Sequence, residues 1–198
     1  MCQLFIEKPQ DISYYKYKEC DSMEQTKEIN KTLRMVRTHL PAPGTELGIY
    51  TFLAPDALWI GTVDAQRPFV VVAEEYVGGE NGTFLLIVLS DGPVYVAELD
   101  GSMAKKPDYR DALDLQEENL IDYCAADFPK FMEIMRLYMT AWKKAVAVGA
   151  AYFEEDDAYF EQAERVLRQQ IAAIDPTAIA DAESLWSTMA EEFGYGMI

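Results

Sequence analysis

The sequence predicts an α+β fold, with an antiparallel β-meander of about five strands, an N-terminal helix and three C-terminal helices. Three observations predict this class. Apolar residues recur with helical spacing near the N-terminus, short β-rich runs separated by turn-rich links fill the middle of the chain, and aspartate-then-proline helix starts lie in the last third. Strands joined by short links pair antiparallel, and strands followed by helices are typical of α+β domains.

The N-terminal helix is predicted to begin at Ser22, which has Gln25 three residues later and so resembles a capping box. The "LPAPG" stretch ends this helix, because proline cannot continue it. Its apolar stripe consists of Ile29, Leu33, Val36 and Leu40. We predict a single domain over residues 1–198, in which residues 1–21 are unassigned and residues 145–198 form a C-terminal helical extension.

The middle of the chain contains five runs with the composition of strands. The link between the last two runs contains Asp91-Gly92, which favours a type I′ turn because both residues accept positive φ angles. The predicted strands are Leu47–Leu53, Leu58–Val63, Phe69–Glu75, Phe84–Leu89 and Val94–Leu99. The stretch from residue 102 to 120 is interpreted as an exposed loop or a short helix.

Three helices are predicted in the C-terminal part. Asp127 precedes Phe128-Pro129 as an N-cap, and a second helix covers about Ala158–Ala173. Asp175-Pro176 repeats the cap-then-proline signal and predicts a third helix that ends at Gly194. The inward residues of this third helix are predicted to be Ala182, Leu185, Met189 and Phe193.

The chain is strongly acidic, since 34 Asp and Glu against 17 Lys and Arg give a formal net charge of −17. Such a charge repels phosphate backbones and anionic membranes and attracts basic surfaces, so we expect a basic protein partner, no direct nucleic acid and no membrane. No Lys or Arg occurs between Arg67 and Lys105. We predict a partner-binding acidic surface formed by Glu74, Glu75, Glu80, Asp91, Glu98, Asp100, Asp108, Asp111 and Asp114.

Catalytic motifs are missing from the sequence: it contains no nucleophile elbow, zinc-protease motif or P-loop. The single histidine, His39, ends the first predicted helix, where it complements the helix dipole. Cys124 lies among acids that raise a thiol pKa, which favours a buried structural cysteine over a nucleophile. Glu98 and Asp100 share one strand face and could bind a divalent cation, although a solvated face explains them without a site. We therefore predict no enzyme, no cofactor and no metal site, and keep a metal-dependent hydrolase as a lesser alternative.

The cysteine pattern and the absence of targeting signals predict a cytoplasmic protein. The three cysteines are odd in number and far apart, which fits reduced thiols. No signal peptide is visible in the sequence, and the longest apolar runs are shorter than the roughly 20 residues that a membrane span needs.

Two C-terminal segments resemble the SUKH superfamily. "YCAADFPKFMEIMRLY" (Tyr123–Tyr138) is similar to the sheet-to-helix junction of that superfamily, and "AAIDPTAIADAESLWSTMAEEFGYGMI" (Ala172–Ile198) is similar to the ending of its fourth family. "SDGPVYVAELD" is similar to the strand with a G-x-V-Y motif that these proteins carry. The likeness runs from about Leu58 to the C-terminus. It implies an α+β fold and the role of an immunity protein, which is made beside a polymorphic toxin and neutralises it by binding.

The resemblance implies no catalytic residues, because the superfamily shares none. We therefore predict a cytoplasmic immunity protein whose acidic surface occludes a toxin that acts on nucleic acids. A regulatory protein-binding scaffold without a toxin partner is the alternative. The oligomeric state is left open.

Overall fold

The computed structural model describes residues 23–75, 83–99, 110, 113–149 and 157–195. Its class is α+β, with an antiparallel sheet of several strands, one N-terminal helix and C-terminal helices, so the predicted class is confirmed. No helix within these ranges is long and apolar enough to cross a membrane.

The chain forms two compact units. The first comprises Met1–Asp91 and Ala97–Leu120, and the second comprises Gly92–Val96 and Ile121–Ile198. The two units are described separately below. One strand, Val94–Leu99, contributes its first half to the second unit and its second half to the first.

The first unit contains one α-helix, α1 (Met23–His39), which packs against the sheet. Ile29 and Val36 of the predicted stripe are buried, whereas Leu33 and Leu40 are half-buried. The strands of this unit are β1 (Glu46–Leu47), β2 (Tyr50–Phe52), β3 (Trp59–Val63), β4 (Arg67–Glu74), β5 (Thr83–Leu89), the end of β6 (Val94–Leu99) and β7 (Asp114–Leu115).

Strand β4 is the centre of the first unit. It pairs antiparallel with β5 along one edge, and β3 and β2 share its other edge, β3 at residues 67–71 and β2 at residues 73–74. The stretches Phe69–Ala73 and Leu85–Leu89 are completely buried. Their continuous apolar sequences are typical of strands that are covered on both faces.

Two details of the predicted strand pattern were wrong. Residues 47–53 form a tight hairpin instead of one strand, because Gly48 has φ of 55° and Leu47 pairs with Tyr50. Strand β2 then pairs with β4 and not with β3, its neighbour in sequence. The meander pattern therefore holds from β3 to β6 and fails before β3.

The segment predicted as a loop or short helix contains strands. Strand β7 pairs in parallel with β3, and a short 3-10 helix (Glu117–Asn119) leads into β8 (Leu120–Ala125). Strand β7 has only two residues, and its order comes from pairing with β3, which lies far away in the sequence.

The second unit contains the first half of β6, strand β8 from Ile121 and helices α2 (Phe128–Gly149), α3 (Asp157–Ile174) and α4 (Leu185–Gly194). The predicted cap of α2 is confirmed, because Asp127 Oδ1 accepts a hydrogen bond from the Lys130 amide at 2.9 Å. The second predicted helix matches α3. At the centre of this unit, the buried Trp186 ring lies 5.4 Å from Phe131 and 6.2 Å from Tyr138 between ring centroids.

The start of the third C-terminal helix was predicted wrongly. Asp175-Pro176 opens only a short 3-10 helix, Pro176–Ile179, and α4 begins later with Ser184 as its N-cap. Ala182, which was predicted to face inward, lies before the helix and is exposed. Met189 and Phe193 are buried as predicted, and the helix ends at Gly194 as predicted.

Candidate protein-binding surface

The structure describes five of the nine acids that were predicted to bind a partner: Glu74, Glu75, Asp91, Glu98 and Asp114. The other four, Glu80, Asp100, Asp108 and Asp111, lie outside the described residues. The five do not form one surface. Asp91 and Asp114 lie at one end of the first unit's sheet, whereas Glu74 lies about 23 Å along β4 from Arg67, near the other end.

The end of the sheet that carries Asp114 is built around the β3–β4 turn. Asp64 and Ala65 both have positive φ angles, 52° and 54°, and the Gln66 amide donates to the Val63 carbonyl at 3.0 Å. Positive φ at both central residues defines a type I′ turn, which matches the twist of the flanking strands. A residue with a Cβ is strained in this conformation, so the turn needs support from elsewhere.

Asp114 supplies that support from strand β7. Its Oδ1 accepts hydrogen bonds from the Ala65 amide at 2.7 Å and from Thr62 Oγ1 at 2.8 Å. The pairing of β7 with β3 positions the carboxylate, since Thr62 is the register partner of Asp114. Asp114 therefore fixes the shape of the turn and remains exposed.

Arg67 follows the turn and joins two further acids. Its guanidinium lies 2.8 Å from Glu117 Oε2 and 3.9 Å from Asp91 Oδ2. Both carboxylates are more than half exposed, so these ion pairs are solvated and each contributes no more than about 1 kcal/mol to stability. Arg67 thus lies within ion-pair distance of both Asp91 and Glu117 at the surface.

We call the exposed acids at this end, Asp64, Asp91, Asp114 and Glu117, the acidic cluster. With Arg67 the cluster carries a formal charge of −3, from four carboxylates and one guanidinium. Helix α1 borders it, because Gln25 Nε2 donates to the Gln66 carbonyl at 3.1 Å.

Glu74 belongs to a separate network at the other end of β4. Trp59 Nε1 donates to Glu74 Oε1 at 2.8 Å, and the Arg110 guanidinium donates to Glu74 Oε2 at 2.7 Å. Arg110 also lies over the Trp59 ring, 5.8 Å from its centroid. Arg110 therefore neutralises the charge of Glu74, and most of the Glu74 side chain is shielded from solvent.

Glu75 is buried, with 8% of its surface exposed. Its Oε2 has no hydrogen-bond partner among the described residues. Burial raises the pKa of this carboxyl. In this arrangement Glu75 does not present charge at the surface, whereas Glu98 on β6 is exposed.

The residues that carry the SUKH resemblance make structural contacts within the second unit. Trp186 Nε1 donates to the Cys124 carbonyl at 2.8 Å, and the Ala126 amide donates to Asp175 Oδ2 at 2.7 Å. The Tyr123 hydroxyl lies 2.8 Å from Thr177 Oγ1. These bonds connect β8 and the residues just before α2 to α4 and to the segment before α4.

The side chains that were weighed as catalytic groups have structural surroundings. Cys124 is fully buried, and this burial, followed by the nearby Asp122 carboxylate, raises the pKa of its thiol far above the usual range. His39 Nδ1 lies 2.8 Å from the Met35 carbonyl in the last turn of α1. Within the described ranges, no three His, Cys, Asp or Glu side chains are placed to hold a metal ion.

Sequence reasoning missed three members of this surface: Asp64, Arg67 and Glu117. Asp64 was visible within a turn-rich link, but its role depends on the support from Asp114. Glu117 lies in the segment that was predicted as an exposed loop or a short helix, and the parallel pairing of β7 with β3 brings this segment to Arg67.

Comparisons with known proteins identify no relative of this chain. No family model matches it, no curated protein matches it, and no solved structure matches it.

Proposed function

We propose that the protein is a cytoplasmic immunity protein of the SUKH type. It binds a polymorphic bacterial toxin that acts on nucleic acids, and it neutralises the toxin by covering a basic surface. The observation that carries the proposal is the acidic cluster, which lies around the hydrogen-bonded β3–β4 turn.

The charge of the chain supports fast association with a basic partner. A net charge of −17 steers a basic protein toward this one over distances up to the Debye length, about 8 Å at physiological salt. Surfaces of toxins that act on nucleic acids are basic, because they must attract phosphates. Electrostatic complementarity of this kind raises the association rate more than the final affinity.

The rigidity of the turn supports specific binding. Asp114 holds Ala65 in a conformation that is costly without its hydrogen bond, and Arg67 lies within ion-pair distance of Asp91 and Glu117. Groups that are fixed before binding lose less conformational entropy when a partner arrives. We therefore assign the main contacts to the acidic cluster and not to Glu74 or Glu75.

The experiment begins with the gene directly upstream. Its product is expressed alone and with this protein in a bacterial host, and growth reports toxicity and neutralisation. Association of the two purified proteins is followed by stopped-flow fluorescence at several salt concentrations. We expect neutralisation, and an association rate that falls about tenfold or more as salt rises.

A pair of matched variants locates the interface. Glu117→Lys reverses a charge in the acidic cluster, and Glu133→Lys makes the same change on the exposed face of α2. We expect Glu117→Lys to slow association several-fold more than Glu133→Lys. Equal effects would place the interface elsewhere, and binding without neutralisation would favour the regulatory scaffold.

A further inference from the structure

We draw no further inference here: the strongest candidate, the open apolar groove between α2 and α3 of the second unit, carries nothing because nothing in the structure shows what covers it.

Discussion

The carboxylate of Asp114 and the backbone amide of Ala65, 49 residues apart in sequence, are joined by a 2.7 Å hydrogen bond. Ala65 has a φ angle of 54°, which a side chain with a Cβ adopts only at a cost. The bond therefore connects strand β7 to the strained residue of the turn that organises the acidic cluster. One exposed acid both shapes this surface and contributes charge to it.

Removing the Asp114 carboxylate should destabilise the protein. Asp114→Ala deletes the acceptor for two hydrogen bonds, and we expect a loss of about 1–2 kcal/mol in the free energy of unfolding by urea. Asp114→Asn makes the same change in charge but keeps an acceptor oxygen, so it should lose less than half as much. Equal losses for the two variants would show that charge, and not the hydrogen bonds, matters here.

Glycine at position 65 should stabilise the protein. Ala65→Gly relieves the strain of positive φ but gives the unfolded chain more freedom, and we expect a net gain of about 0.5–1 kcal/mol. Thermal and urea unfolding measure the gain. The same substitution at Ala57, which lies outside the positive-φ turn, provides the control and should give no gain. If Ala65→Gly lowered the free energy of unfolding, Ala65 would not be strained in this turn.

Helix boundaries were predicted well where a local cap fixes them. Asp127 caps α2 with its own side chain, so the signal and its structural effect lie within four residues. The prediction from Asp175-Pro176 was wrong about the helix type, because the same N-cap and proline start a 3-10 helix as well as an α-helix. The α-helix α4 begins nine residues later, where Ser184 is its N-cap and accepts a hydrogen bond from the Ser187 amide.

The candidate surface was predicted only in part, since its assembly depends on strand register. The absence of Lys and Arg between Arg67 and Lys105 drew attention to this acidic region. It did not reveal that Glu75 is buried or that Arg110 neutralises Glu74. The burial and pairing of these acids depend on contacts between residues that are far apart in sequence. Arg67 and Glu117, for example, are 50 residues apart.

A methyl group at Gly61 should disturb the centre of the first unit. An added Cβ would overlap the Cζ atom of the buried Phe69 and would lie 3.0 Å from the Leu113 carbonyl oxygen. We expect Gly61→Ala to lower the free energy of unfolding by about 1–3 kcal/mol, because the packed core atoms cannot move far enough to make room for the methyl group.

A second background tests the cause of this loss. Gly61→Ala should lower the free energy of unfolding less in a Phe69→Leu protein than in the wild type, since the aromatic ring that clashes with the added methyl group is absent. Additive effects of the two substitutions, measured by urea unfolding, would contradict a direct clash.

The buried Asp175 should make the protein lose stability in acid. Burial acts to raise the pKa of this carboxyl, but hydrogen bonds from Thr177 and the Ala126 amide, with the nearby Lys130, hold the pKa below its usual value. The folded pKa is lower than the unfolded one, so the contribution is present above a pH of about 3.9 and lost as pH falls through the folded pKa.

Substitution of Asp175 should therefore flatten the acid limb of the stability curve. Asp175→Ala should cost about 2–3 kcal/mol near pH 7, where the charge-assisted bonds are complete, and less near pH 3. Asp56→Ala removes an exposed carboxylate and serves as the control for net charge. Urea unfolding across this pH range makes the comparison, and a cost for Asp175→Ala that is constant with pH would contradict it.

Glu75 should have the opposite dependence on pH. Burial raises its pKa, so its folded pKa lies above its unfolded value. Its contribution to stability is fully present below the unfolded pKa and is lost as pH rises through the folded pKa, where the unpartnered carboxylate must ionise in a buried position. Glu75→Gln cannot ionise, so its stability relative to the wild type should increase between about pH 4 and about pH 8.

The neighbouring Glu74 provides a matched control for this prediction. Its carboxylate accepts hydrogen bonds from both Trp59 and Arg110, so Glu74→Gln removes a favourable ion pair and should destabilise the protein near neutral pH. The two substitutions are chemically identical, lie one residue apart and should have opposite signs at about pH 8. If Glu75→Gln instead lost stability as pH rose, the Glu75 carboxylate would have to be stabilised in its charged form.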